Sequence, residues 1–324
     1  IYIDGAPSTL SGNDLQNYLS TLPANAIEKV ELIYNPGASF DADASGSIIN
    51  IVTSTKRKKG LNASVNMNYN FNQYQKPSPQ ILLNGKVKEL SWQTMIGYNY
   101  IDSENNSSND QIFTSFSPNE RLFQKNFAQF TNRNFYWRTG TNYKLNEKSN
   151  LLFNYNLNLG NDRITGDAST VGTGIDFTNN SLSKIKNSNN ELSLQYKTKL
   201  DTIGRTLDII AYSNFFNRNP NTVSNGQNNG TSTFYNGKID FNLTNHYLKY
   251  DFAIPFKKLD LSINTGGKYN YIKVNDKGIY NLNSPTNSVI DFDYTETNLA
   301  FYVEARKKIK KFRASHLPPI LPLK

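Results

Sequence analysis

Leu61-Asn62-Ala63-Ser64-Val65-Asn66-Met67-Asn68-Tyr69-Asn70-Phe71-Asn72 carries an apolar or small residue at every odd position and Asn or Ser at every even one. Successive side chains of an extended strand point to opposite faces, so a period of two gives this stretch one apolar and one polar face. The pattern returns along the chain. Phe135, Trp137, Thr139, Thr141 and Tyr143 alternate with Tyr136, Arg138, Gly140 and Asn142. Leu151, Phe153, Tyr155, Leu157 and Leu159 alternate with Leu152, Asn154, Asn156 and Asn158, and Leu192-Ser193-Leu194-Gln195-Tyr196-Lys197 repeats it. The spacing predicts ten strands, at about 60–74, 77–90, 91–105, 127–143, 149–161, 189–200, 205–217, 239–256, 259–274 and 291–308. Short turns at Lys88-Glu89, Asn146-Glu147-Lys148, Asp201-Thr202-Ile203-Gly204 and Lys257-Lys258 alternate with Asn-, Ser-, Gly- and Thr-rich stretches expected to be long loops, at 106–126, 162–188, 218–238 and 275–290.

Composition narrows the function. Aromatics make up 13% of the 324 residues and charged residues only 19%, so Asn, Ser and Thr carry most of the polarity. A disordered chain would lack the aromatics. With no cysteine and only His246 and His316, the chain holds neither a disulfide framework nor a thiolate metal site. His246, without a Ser or Cys motif, reads as an ordinary strand residue. No catalytic residue, metal ligand or cofactor is expected, and the chain is not read as an enzyme. No run of ~18 apolar residues occurs, which excludes a helical membrane span.

Charge divides the chain. Residues 1–55 hold one cation, Lys29, against six anions, a net of −5, while the remainder holds 34 cations against 20 anions, a net of +14. Lys56-Arg57-Lys58-Lys59 between them reads as a basic linker. The front region has mixed grammar. Tyr2-Ile3 reads as a strand entering an Asp4-Gly5 turn, and Ser11-Gly12-Asn13-Asp14 has the form of a capping box. Leu15, Tyr18, Leu19 and Leu22 then make the apolar stripe of a helix that stops at Pro23. Val30-Glu31-Leu32-Ile33 and Gly46 to Thr53 read as strands, the first halted by Asn35-Pro36-Gly37. The Asp41-Ala42-Asp43-Ala44-Ser45-Gly46 stretch mimics the start of a calcium loop, but Val52 stands where the bidentate Glu is needed.

Three features favour a membrane sheet over a soluble sandwich. The segments exceed the usual ~5–6 residues of a soluble strand and reach the ~9–11 that a tilted strand needs to cross a bilayer. Short and long connections alternate, as in outer-membrane barrels. Aromatics gather at segment ends, with Phe71, Tyr74, Trp92, Tyr98, Tyr100, Phe127, Phe252, Phe256, Tyr269 and Tyr271 suited to interfacial girdles. The basic runs fall at turns, where lysines stay solvated, so nucleic acid is not an expected partner. The N-x-S/T triplets follow from the Asn-rich composition and carry no glycan meaning here.

Residues 1–55 resemble the C-terminal part of the plug domain of TonB-dependent outer-membrane receptors, in the form common in Bacteroidetes. The match rests on Tyr2-Ile3-Asp4-Gly5, Leu10 to Leu15, Leu22-Pro23-Ala24, Ile27 to Ile33, Asn35-Pro36 and Gly46 to Thr53, with Asp4, Gly5, Ser11, Pro23, Pro36, Gly46 and Asn50 as structural signature residues. Residues 60–312 resemble the N-terminal part of that family's barrel. The resemblance implies a mainly β fold: a partial transmembrane antiparallel β-barrel, about 10 of about 22 strands, preceded by part of a small α/β plug. It also implies a bacterial outer-membrane location and active uptake of a bulky, scarce ligand: a siderophore, a cobalamin-like compound, a glycan or a peptide. The TonB complex, outer-membrane lipid and a surface lipoprotein are the implied partners. Ligand contacts are expected in the long loops, with Phe113, Phe116, Phe123, Arg163 and Arg218 as candidates. Ile1 in place of Met and the Pro-rich stretch 313–324 fit a piece of a longer chain whose unmatched tail is read as a shifted frame or an arbitrary truncation. The alternatives are a passive pore or surface adhesin on a smaller barrel, and a soluble sugar-binding β-protein.

Overall fold

The computed structural model describes residues 2–3, 6–7, 27–33, 47–53, 60–71, 74–113, 120–283 and 286–307. Two sheets hold them. The smaller comprises β1 (Tyr2–Ile3), β2 (Ala6–Pro7), β3 (Ile27–Ile33) and β4 (Ile48–Thr53), in the order β2-β1-β4-β3. β4 pairs parallel with β1 and antiparallel with β3, and buries Ile48 and Ile51. Asn50, on β4, donates from Nδ2 to Glu31 at 2.8 Å, and Lys29 sits 2.5 Å from the same carboxylate. These contacts, Lys29 foremost, hold Glu31 below the usual carboxylate range.

The larger sheet has ten strands in unbroken sequence order. They are β5 (Gly60–Phe71), β6 (Gln75–Val87), β7 (Leu90–Phe113), β8 (Glu120–Lys144), β9 (Ser149–Gly172), β10 (Ile175–Lys199), β11 (Thr206–Asn228), β12 (Thr231–Phe256), β13 (Leu261–Leu282) and β14 (Ser288–Lys307). Each pairs antiparallel with the next, so the ten alternating segments of the sequence are the ten strands of one meander. The short turns fall where the sequence places them. Asp201 organises one of them, its Oδ1 accepting from the backbone N–H of Ile203, Gly204 and Arg205 at 2.9, 2.9 and 3.1 Å.

The four stretches expected to be long loops are largely strand. β7 and β8 stay paired to Phe113↔Glu120, β9 and β10 to Gly172↔Ile175, β11 and β12 to Asn228↔Thr231, and β13 and β14 to Tyr280↔Ser288. The physical reason is that alternation is needed only where the two faces meet different media. Where water lies on both sides, a ladder can be polar on both faces and still pair all its backbone groups. Cross-strand bonds support it, including Asn132 to Asp162 at 2.5 Å, Ser183 with Thr222 at 2.9 Å and Asn217 to Asn242 at 2.5 Å.

At the β11–β12 tip, Asn229-Gly230 forms a two-residue turn with φ of 49° and 79°, the left-handed geometry that Asn and Gly tolerate best. Asn229 also ties this tip to its neighbour. Its backbone N–H donates to Asp176 O at 2.7 Å, its Oδ1 accepts from Asp176 N at 2.7 Å, and its Nδ2 donates to Gly174 O at 2.9 Å. Asn283, at φ 50°, bonds Phe234 in the same way through N–H and Oδ1.

No α-helix occurs among the described residues. The helix expected over Leu15 to Leu22, the linker 56–59, the Asp41–Gly46 stretch and the tail 313–324 lie outside them. So do Asp4, Gly5, Ser11, Pro23, Pro36 and Gly46; Asn50 alone of the signature set is described, on β4.

Candidate functional site

Parity along each strand separates two faces with opposite chemistry. On β10, Glu191, Ser193 and Gln195 are buried while Leu192 and Leu194 are exposed at 42% and 44%. Register carries the division sideways. Glu191 lies opposite Asn156 and Asn214, and Asn156 opposite Arg138. Leu192 lies opposite Tyr155, and Tyr155 opposite Thr139. The covered face is therefore polar and the open face apolar, the reverse of a water-soluble sheet.

The polar face is a bonded wall. Asn156 and Asn189 donate to Glu191 at 3.3 and 2.8 Å, Asn214 donates to Asn189 at 2.5 Å, and Tyr136 donates to Gln80 at 3.0 Å. Buried polar groups need such partners. Toward the short turns the wall is charged: Lys197 lies 3.8 Å from Asp208, Lys249 lies 3.1 Å from Asp251, and Gln195 donates to both oxygens of Asp208 at 2.8 and 2.9 Å. A stacked Tyr212–Tyr247 pair, centroids 4.8 Å apart, sits among these groups, with Lys268 Nζ 4.9 Å from the Tyr247 ring.

The apolar face is a belt of limited height. On β9 its row runs Leu151, Phe153, Tyr155, Leu157, Leu159 and then turns polar at Asn161, Arg163 and Thr165. On β8 it runs from Tyr143 to Phe135 and turns polar at Arg133. Residues 151 to 159 and 135 to 143 are nine each, the length a tilted strand needs to cross the hydrocarbon of a bilayer. An aromatic row crosses β11, β12 and β13 at the upper margin: Phe215 meets His246 edge-on at 5.3 Å, and His246 stacks on Tyr271 at 6.2 Å. Trp137 meets Tyr155 edge-on at 5.3 Å lower in the belt. Of the residues expected in girdles, Trp92, Tyr98, Tyr100, Phe252, Phe256, Tyr269 and Tyr271 stand on this face, whereas Phe127 lies far up the β8 extension.

This chain is similar to outer-membrane β-barrels over part of its length. Its residues 198–315, which take in β11 to β14, match the model of the outer membrane protein beta-barrel family. No curated protein matches the chain. Among solved structures, the chain resembles the ferric citrate transporter FecA in its unliganded form at 10% identity and a TM-score of 0.41, covering 86% of this chain and 47% of that one. It also resembles the ferric yersiniabactin uptake receptor FyuA from Yersinia pestis (12%, TM-score 0.35, 86% and 49%) and the siderophore receptor PiuA from Acinetobacter baumannii (11%, TM-score 0.34, 94% and 53%). The chain spans about half the length of these structures.

Above the belt the sheet continues as polar β-hairpins, and here the expected ligand contacts are placed on strands. Phe113, at the end of β7, and Arg218, on β11 opposite Asn187 and Phe241, stand on the row of the polar face. Phe123, on β8, and Arg163, on β9, stand on the row of the apolar face. The four are thus split between inside and outside, and Phe116 lies outside the described residues. Sequence reading placed Tyr136 and Arg138 on the face opposite Phe135 and Trp137 without singling them out as site residues, and it missed the wall residues Glu191 and Asn214. Glu191 and Asn214 carried a weaker signal, each with an apolar neighbour on one side only, Leu192 and Phe215. The hairpin rim carries its own pair, Arg121 binding Asp110 through Nε and Nη2 at 2.9 and 2.5 Å. That contact holds the Asp110 carboxyl below its usual range.

Proposed function

We propose that this chain is a plug sheet and the first ten barrel strands of a TonB-dependent receptor, a non-enzymatic protein for energy-driven uptake of a bulky, scarce ligand. The observation that carries the reading is the open ten-stranded sheet with a hydrogen-bonded polar wall on one face and a lipid belt on the other. Lipid tolerates no unpaired sheet edge, so β5 and β14 require further strands as partners. A barrel of about eight strands is already nearly filled by its own side chains, whereas the small sheet preceding β5 needs a wide lumen to sit in. The likeness of residues 1–55 to a plug is what suggests a TonB-dependent receptor, the segment that would contact TonB lying outside this sequence. Ferric siderophores, cobalamin-like compounds, glycans and peptides are the ligand classes, the TonB complex is the partner on the periplasmic side, and a surface lipoprotein is the partner outside.

The test is uptake in the native cell. Cells lacking the gene are compared with wild type for accumulation of labelled ferric siderophore, cobalamin, oligosaccharide and peptide, with and without depletion of TonB. Loss of one substrate in both backgrounds is the expected result. Uptake that depends on the gene but survives TonB depletion would replace this reading with a passive pore.

A further inference from the structure

A pocket of about 520 Å³ opens on the outward face of β7 to β10 directly above the lipid belt, with Tyr100, Asp102, Thr131, Arg133, Arg163 and Lys184 in its lining. These six continue the outward rows of the belt. Arg133 follows Trp137 and Phe135 on β8, Arg163 follows Leu157 and Leu159 on β9, and Tyr100 follows Ile96 and Tyr98 on β7. The pocket therefore faces away from the lumen. At a rise of ~3.3 Å per residue and a tilt of ~45°, Arg133 stands roughly 5 Å and Arg163 roughly 9 Å above the last apolar residue. Arg133 thus falls within the headgroup layer, which adds about 5–8 Å to each side of the hydrocarbon, and Arg163 at its outer margin.

The charges in this pocket are arranged against the interest of the sheet alone. Arg163 and Lys184 are direct cross-strand partners, and like charges directly opposite one another destabilise a ladder. Lys186 is one outward position further along, opposite Asn161, and Arg133 is opposite Asn161 from the other side. Arg133, Arg163, Lys184 and Lys186 form no ion pair among the described residues. Of the two carboxylates at the pocket, Asp102 accepts from Gln129 at 3.3 Å, and Asp162 is held toward the polar face by Asn132 at 2.5 Å and Asn187 at 3.4 Å. Arg133 lies over the Tyr100 ring, 5.8 Å from its centroid, which fixes the guanidinium at the pocket wall.

We propose that this pocket binds the phosphate of a membrane-lipid headgroup in the leaflet on the hairpin side. Arg133 and Arg163 supply planar forks suited to phosphate oxygens, and Lys184 adds a point charge that the bound anion neutralises. The acyl chains would descend along the belt beside Phe135, Leu157 and Leu159. The inference rests on the outer-membrane placement and is independent of what the receptor transports.

The experiment uses the full-length protein in phosphatidylcholine nanodiscs doped either with a diphosphorylated glycolipid or with its phosphatase-treated form. Thermal unfolding and lipid retention by native mass spectrometry are the readouts. At least tenfold preferential retention of the phosphorylated form, unaffected by millimolar inorganic phosphate, is the expected result. Equal retention of the two lipids would overturn the proposal. Full competition by inorganic phosphate would also overturn it, by making this a site for free anion. Arg163→Gln with Lys184→Gln should abolish the preference and, by removing the like-charge pair, raise the unfolding temperature in plain phosphatidylcholine. A folded double variant that keeps the preference would sink the assignment. Should that variant not fold, the comparison of the two lipids on the unaltered protein decides alone.

Discussion

Gly97 shows how closely the polar wall is packed. A Cβ built there would overlap the phenol of Tyr136, a side chain only 3% exposed whose hydroxyl is committed to Gln80. Gly97→Ala should therefore cost about 1–3 kcal/mol, the usual penalty for overpacking. Urea unfolding in phospholipid vesicles measures it, and adding Tyr136→Ala should make the glycine substitution close to neutral by vacating the space. Asp201 gives a second prediction at this scale. The backbone N–H of Arg205 first, with those of Gly204 and Ile203, holds its carboxyl below the usual range. A lowered folded value means that the turn is stabilised in full above the ordinary carboxylate pKa of about 4, and that this contribution fades as pH falls through the lowered value. Asp201→Ala should thus lower the heat-modification midpoint at pH 7 and remove the part of its acid dependence that the wild type shows below about pH 4. Identical pH profiles for the two proteins would dismiss this role.

The strands obey two regimes along their length, and substitutions should report which one they are in. Leu157 and Asn158 are neighbours on β9 with opposite directions, one in the lipid belt and the other on the polar wall. Leu157→Arg places a charge toward hydrocarbon between the midplane and the upper margin of the belt and should cost about 1–3 kcal/mol. Asn158→Arg should cost much less, since its charge enters a wall that already accommodates Arg138 and Lys268. Folding yields and unfolding free energies in vesicles compare them directly. Equal penalties would mean that the two faces have been assigned wrongly. In the hairpin extensions that asymmetry should vanish, because Ser183, Thr222, Asn217 and Asn242 bond across a ladder that meets water on both sides.

At the scale of the molecule the two edge strands set the behaviour. β5 exposes Leu61, Val65 and Met67 at 68%, 75% and 68%, and β14 exposes Leu299, Phe301 and Val303 at 64%, 69% and 75%. These values exceed those of Leu192 and Leu194 in mid-sheet because each edge lacks a neighbour on one side. The 324-residue chain, transferred to detergent-free buffer, should self-associate through those edges and the apolar belt. Sedimentation velocity tests this, and a monodisperse monomer would contradict the membrane reading of the exposed face.

Alternation is a local property, so the residues 61–72, 135–143, 151–159 and 192–197 by themselves determined that strands form, how many there are, and which side chains share a face. The short turns were equally legible, since Asp201-Thr202-Ile203-Gly204 carries its own turn chemistry and Lys88-Glu89 is a charged break between two alternating segments. Where the strands stop was not, because Asn and Ser in 106–126 or 162–188 suit a loop and a water-exposed ladder alike, and only pairing with a neighbouring strand separates the two. The split of Phe113 and Arg218 from Phe123 and Arg163 follows from counting parity upward from Met95, Trp137, Leu159 and Tyr212, but only once the ladder is known to continue without a bulge. Tertiary structure alone decided which positions meet across strands. Arg133, Arg163 and Lys184 lie on three strands, and it is the register between those strands, a non-local quantity fixed by turn lengths and side-by-side pairing, that gathers them above the belt.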